Sequence, residues 1–276
     1  MLLLAAALRG ETNRLAEAVR KAGDYYRRGL HQEADQASAE ALSSLENSHA
    51  SDDNFDDAAA TNNLGSIVYA RGEAGRAAQL FQRSREAYEA LAGPDDTRLA
   101  SVLYNLAGVC MEQGRYAQAE SLYRRSLEIR EKAFGAAHPL VAEVRNDVGF
   151  LYLQQGKYKE ADRWLEEAFR VWENSTGFEA YAAVALNNLA LLRRLQGSFE
   201  KSESLYKQAA AVEEKVFGAE HPELATTRMS LAALYRAWGK NEQSDETYQQ
   251  ALALLEKTVG AHDPLAIEIR EKLSGR

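Results

Sequence analysis

The sequence predicts an all-α protein built from stacked antiparallel helix pairs, and three observations carry that prediction. The chain has 4 prolines in 276 residues and is rich in Ala, Leu, Glu, Arg and Gln, residues that lose little side-chain freedom in a helix. Runs of alternating β-branched residues are absent. A short glycine-led segment recurs six times at near-constant spacing, the mark of a repeat architecture.

The segment is clearest as Gly-Lys-Tyr-Lys-Glu-Ala from Gly156 to Ala161. Related copies begin at Gly114, Gly197 and Gly239, and weaker ones at Gly72 and Gly29. The intervals between these glycines are 43, 42, 42, 41 and 42 residues. Each unit reads as two helices, A and B. In one repeat, helix A is expected over about Arg98 to Glu112, with Leu99, Val102, Leu103, Leu106 and Cys110 at three- and four-residue steps. Helix B is expected over about Tyr116 to Phe134, with Ala119, Leu122, Tyr123, Leu127 and Ile129. Both carry an apolar stripe at the helical period. Gly114 suits the left-handed position that ends helix A. A small residue such as Ala119 marks where helix B crosses close to helix A. Large residues four positions on, Phe81, Tyr123, Leu165, Tyr206 and Tyr248, are expected to fill the space between layers.

The prolines set the same phase. Pro94, Pro139, Pro222 and Pro264 each precede an apolar helix A pattern, and proline is favoured in a first helical turn. His138, His221 and His262 occupy related positions beside three of them and read as capping residues. Phe178-Glu-Ala180 stands at the equivalent place in the fourth repeat and predicts a less sharply defined helix start.

The stretch LYNLAGVCMEQGRYAQAESLYRRSLEIREKAFGAAHP resembles the 42-residue tetratricopeptide repeat of kinesin light chains and of many bacterial proteins. The shared features are Asn-Leu-Ala in helix A, Gly-Lys-Tyr-x-Glu-Ala at the turn and Tyr-x-x-Ala-Leu in helix B. The match covers residues 57–263 and, more weakly, 11–46. Ala74 departs from it where an aromatic is expected, Ser202 and Ser244 at the small position, and Ser38 where a large residue is expected. The resemblance implies a right-handed superhelical solenoid of about six repeats. Its parts are a degenerate repeat or cap at 1–46, a polar linker at 47–56, and five repeats at 57–96, 97–138, 139–180, 181–221 and 222–263. A lone amphipathic helix at 264–276 caps the last repeat.

Composition narrows function. A formal net charge of −8 repels phosphate backbones and argues against general nucleic-acid binding. A single cysteine, Cys110, excludes an intrachain disulfide and a cysteine-rich metal site, and its place on an apolar stripe reads as a buried thiol. Trp164, Trp172 and Trp238 read as packing residues, with Trp238 partly exposed. No apolar run approaches the roughly 18 residues of a membrane span. The apolar start, Met1 to Leu8, reads either as the first turn of a capping helix or as the remnant of a signal sequence. A cytoplasmic location is expected, with periplasm or secretion as the alternative. Asp52, Asp53, Asp56 and Asp57 read as a helix start, where the macrodipole favours negative charge, and their spacing does not fit a calcium loop.

No catalytic cluster, metal motif or phosphate loop is found, so an enzyme, or any cofactor, is not expected. The resemblance implies instead that the A helices line a concave groove that binds an extended peptide of a protein partner. Its candidate residues are Asn62, Asn63, Tyr69, Tyr104, Asn105, Met111, Glu112, Asn146, Asp147, Phe150, Gln154, Asn187, Asn188, Arg194 and Arg236. An asparagine amide offers a donor and an acceptor to match a peptide backbone; the competing reading is that these amides bond neighbouring helices. Arg194 and Arg236 share a position in adjacent repeats and are suited to a carboxylate or phosphate, or else to pairing with the protein's own glutamates. The expected function is a protein-interaction scaffold, with a peptide-sensing regulator of a separate enzyme as the runner-up. Self-association is left open.

Overall fold

A computed structural model of the chain describes residues 15–25, 30–47 and 54–275. The residues from Met1 to Leu8, and His49, Asp52 and Asp53 of the expected linker, lie outside them. All regular structure among the described residues is α-helical: α1 (15–25), α2 (His31–Asn47), α3 (Phe55–Ala70), α4 (Ala74–Ala92), α5 (Thr97–Glu112), α6 (Tyr116–Phe134), α7 (Pro139–Gln154), α8 (Tyr158–Glu173), α9 (Glu179–Leu195), α10 (Phe199–Phe217), α11 (Glu223–Ala237), α12 (Asn241–Thr258) and α13 (Pro264–Leu273). Two compact units result, Met1–Gly135 and Ala136–Arg276. In the first, α3 packs on α4, α4 on α5 and α5 on α6; in the second, each helix from α7 to α13 packs on the next.

Helix A ends for a local reason. The turn glycines Gly72, Gly114, Gly156, Gly197 and Gly239 have φ between 71° and 80°, a conformation that costs other residues. The N–H just after the glycine closes a six-residue bond back into helix A: Arg115 N to Cys110 O is 2.8 Å and Lys157 N to Tyr152 O is 2.9 Å. This is the Schellman arrangement, which satisfies the last carbonyls of the helix.

The next helix A starts by side-chain capping. Asp96 accepts from Arg98 N, His138 Nδ1 from Leu140 N at 3.2 Å and His221 Nδ1 from Glu223 N at 3.3 Å. The capping role read for His262 falls to its neighbour Asp263, whose Oδ1 accepts from Leu265 N and Ala266 N. Pro139 and Pro264 open their helices, Pro222 is an N-cap, and Pro94 sits in the turn before α5. Phe178 precedes α9 with no side-chain cap. Asn54 caps α3 by accepting from Asp57 N, with Asp56 and Asp57 in the first turn.

The small and large residues of each repeat form the core. Ala77, Ala119, Ala161, Ser202 and Ser244 are fully buried, and Phe81, Tyr123, Leu165, Tyr206 and Tyr248 nearly so. Burial of one such large side chain contributes about 1.5–3 kcal/mol. The two serines keep the small position tolerable by donating to helix A of their own repeat: Ser202 Oγ to Ala190 O at 2.7 Å and Ser244 Oγ to Ala232 O at 2.9 Å. Cys110 is buried, and burial pushes its thiol pKa up. Trp172 is buried, with its Nε1 donating to Pro139 O at 3.2 Å. Trp238 is partly exposed, stacked on Phe199 with Lys240 over its ring. Ala266 and Ile269 of α13 pack in one buried cluster with Leu224, Ala225, Tyr248 and Ala251.

Candidate functional site

In the second unit the A helices α7, α9 and α11, together with α13, line a groove of about 790 Å³. Five of the sequence-predicted residues meet there: Phe150, Asn187, Asn188, Arg194 and Arg236. The floor is apolar, made by Phe150, Leu191, Met229 and Ala233, and the buried rings of Tyr206 and Tyr248 lie beneath. Leu191, Thr226, Ala233 and Ala237 were not singled out from sequence, yet they stand at the groove-facing phase of helix A, so the repeat register held the signal. Glu268 and Lys272 also line the groove. They belong to the cap, outside the repeat register, and no sequence signal marked them.

The two arginines differ sharply. Arg236 is already engaged: it is ion-paired with Asp245, donates from Nη1 to Lys272 O at 2.8 Å, and lies over the Tyr248 ring. It follows the internal-pairing reading. Arg194 forms no ion pair among the described residues, and its buried Nε has no hydrogen-bond partner. It stands beside the Tyr206 and Tyr248 hydroxyls. Burial pushes the Tyr206 phenol up to about 12, so it stays neutral, and it is hydrogen-bonded to Ser230. Arg194 is therefore a cation beside neutral phenols on an apolar floor, while Glu268 of the groove lining pairs with Lys272 at 3.9 Å; a partly desolvated cation without an ion pair favours an anion.

The amides sort themselves differently from a simple row. Asn188 Nδ2 donates to Asn146 Oδ1 at 3.0 Å, and Asn146 is buried. In the first unit Asn105 Nδ2 donates to Asn62 Oδ1, also at 3.0 Å. In both cases the asparagine of one repeat bonds the asparagine one residue position earlier in the register of the repeat before it, which is the inter-helix reading of these residues. Asn146 Nδ2 donates to Asp147 Oδ1 at 3.1 Å. Asn187 uses its Nδ2 within the core, on Glu213 Oε1 at 3.1 Å and Thr227 Oγ1 at 2.7 Å.

The remaining predicted residues stay outside this groove. Asn63 and Glu112 are exposed and Met111 is half-buried. Tyr69 packs against the core of the first unit. Tyr104 meets the Tyr123 ring edge-on at 5.7 Å, with the Arg130 guanidinium over its ring. Gln154, on α7, is exposed. Among the described residues no cluster of His, Cys, Asp or Glu is placed to hold a metal ion, and no helix is long and apolar enough to cross a membrane.

Family models described as tetratricopeptide repeat match residues 98–174, 181–257 and 58–97. No curated protein matches significantly. Among solved structures, the apo form of RapI is similar with a TM-score of 0.65 and 15% identity, over 95% of this chain and 99% of that one. BtubC (BKLC) from P. vanneervenii is similar with a TM-score of 0.61 and 18% identity, over 91% and 93%. The kinesin-light-chain repeats from Podosopora anserina give 0.59 and 20%, over 72% and 95%. At these identities the likeness is one of fold.

Proposed function

We propose, from the premise that this chain belongs to the tetratricopeptide-repeat family and has a fold like that of kinesin-light-chain-type repeats, that it binds an extended segment of a protein partner in the groove of its second unit. The family fold supports a protein-interaction scaffold in general; the particular groove is our own reading. One observation carries it: Arg194, unpaired, at the edge of an apolar floor. A folded core does not leave a half-buried guanidinium without a counter-charge for its own stability. An apolar floor with one directed charge suits a ligand with an apolar side chain and a nearby carboxylate.

Reach is consistent with a linear segment. The groove crosses four helices, α7, α9, α11 and α13. Three helix-to-helix intervals of about 8–10 Å give roughly 24–30 Å. At about 3.3 Å per residue this accommodates roughly seven to nine extended residues.

The test is a random-peptide display selection on the full chain, with measured affinities for Arg194→Ala and Leu191→Glu. Enriched sequences should pair an acidic with an apolar residue. Arg194→Ala should weaken them by about 1.5–3 kcal/mol, the range for a hydrogen bond to a charged group. Peptides that bind both variants as tightly as the parent protein would remove the groove from consideration.

A further inference from the structure

Glu213 on α10 is 5% exposed. The equivalent helix B position in the other repeats holds Tyr88, Arg130, Trp172 and Leu255, all of them buried. Thr227 on α11 is 1% exposed, at a helix A position that elsewhere reads Ala60, Val102, Val144 and Ala185. Glu213 is the one carboxylate in its row and Thr227 the one hydroxyl in its own, and the two residues bond each other: Thr227 Oγ1 donates to Glu213 Oε1 at 2.8 Å. Asn187 of α9 adds Nδ2 to Glu213 Oε1 at 3.1 Å. The other half of each group is unaccounted for. Glu213 Oε2 and Asn187 Oδ1 are both buried and both without a hydrogen-bond partner.

Two buried acceptors without a donor, on side chains already bonded to each other through Nδ2 and Oε1, call for one. No lysine, arginine or histidine is ion-paired with Glu213 among the described residues. The charge that acts on it is Glu223 on α11, of like sign; α9 presents the uncharged Asn187 and α11 the uncharged Thr227. A buried carboxylate so placed is more stable with a proton.

We propose that Glu213 is held as a neutral acid that shares its proton with Asn187 Oδ1, a cyclic acid–amide pair that positions Asn187 in the groove wall and makes that wall proton-dependent. A single proton on Oε2 satisfies both orphan atoms: Oε2–H donates to Oδ1 while Nδ2–H donates to Oε1. Loss of the proton sets two acceptors against each other and frees Asn187, a groove-lining residue, to reorient. Burial, the larger effect, raises the Glu213 pKa and Glu223 raises it further, against the bonds from Thr227 and Asn187. The device stands whether or not the groove takes a peptide.

Above the ordinary pKa of Glu213 the unfolded chain has lost this proton while the folded chain keeps it. Stability therefore falls as pH rises from the unfolded to the folded pKa, then levels. Glu213→Gln reproduces the neutral acid with an N–H in place of the O–H. The experiment is a carboxyl carbon NMR titration of wild type, read with the side-chain amide of Asn187, beside unfolding of wild type and Glu213→Gln across the acid-to-neutral range. Glu213 should stay protonated where exposed glutamates have ionised, with the Asn187 amide moving at the same midpoint. The wild-type folding constant should fall against that of the variant by about tenfold for each pH unit of elevation. A Glu213 carboxyl that titrates with the exposed glutamates overturns the proposal, and that titration decides it even if the variant fails to fold.

Discussion

Addition of one methyl group at Gly149 tests the packing account most directly. A Cβ there would lie 2.7 and 2.8 Å from Leu165 Cγ and Cδ2 and 3.2 Å from the Leu165 backbone N. Ordinary contact begins near 3.4 Å, so α8 itself must give way as well as the leucine. Overpacking of this kind costs about 1–3 kcal/mol, and relief of a helical glycine returns about 0.5–1 kcal/mol. Because a backbone atom blocks the site, Gly149→Ala should be net destabilising by about 1–2 kcal/mol. Gly108 is the control, since its Cβ would meet only Tyr123 Oη, at 3.9 Å. Gly108→Ala should stabilise by about 0.5–1 kcal/mol. Equilibrium urea unfolding followed by far-ultraviolet circular dichroism resolves a difference of this size. Gly149→Ala as stable as wild type, or more so, would refute the reasoning, because it would mean that the two helices are not held at the approach described.

Two further outcomes follow from the hydrogen bonds. A double-mutant cycle on Asn62 and Asn105, read by urea unfolding, should give a coupling energy of about 0.5–1.5 kcal/mol; coupling near zero would show that the amide pair does not hold the repeats together. Ser202→Ala restores the family's small residue but deletes the bond to Ala190 O, and should lose about 0.5–1.5 kcal/mol in the same assay, whereas an unchanged midpoint would show the hydroxyl to be incidental.

The register of the chain was legible because it is written many times. The glycines, the small residues and the large residues four positions on all recur in phase, and α6 spans Tyr116–Phe134 as the apolar stripe predicts. What escaped the sequence lies where identical positions take different partners. Arg194 and Arg236 share a phase, yet Asp245 on the following helix engages only the second. Asn188 and Asn187 are neighbours in sequence, yet one bonds an asparagine on α7 and the other a buried glutamate on α10. His262 shares the setting of two capping histidines, but the extra residue before Pro264 brings Asp263 to the cap. Each of these depends on a side chain from another helix or on a one-residue offset, which periodicity does not encode.

The same logic separates scaffold from site. Where a position is apolar or small in every repeat it serves the stack, and a polar residue there needs its own justification. At the helix A position of Arg194 the earlier repeats hold Tyr69, Met111 and the buried Leu153, so the cation is specific to the last repeats. Glu213 and Thr227 place a carboxylate and a hydroxyl in two buried rows at once and bond each other through Oε1, which a random substitution would not do. Both exceptions converge on α9: Arg194 and Asn187 are seven residues apart, two helical turns and roughly 10 Å along one face. Repetition leaves the fold insensitive to any single repeat, and the second unit has used that tolerance to place an unpaired cation on α9 and, on α10, a buried acid that bonds Asn187 of the same α9.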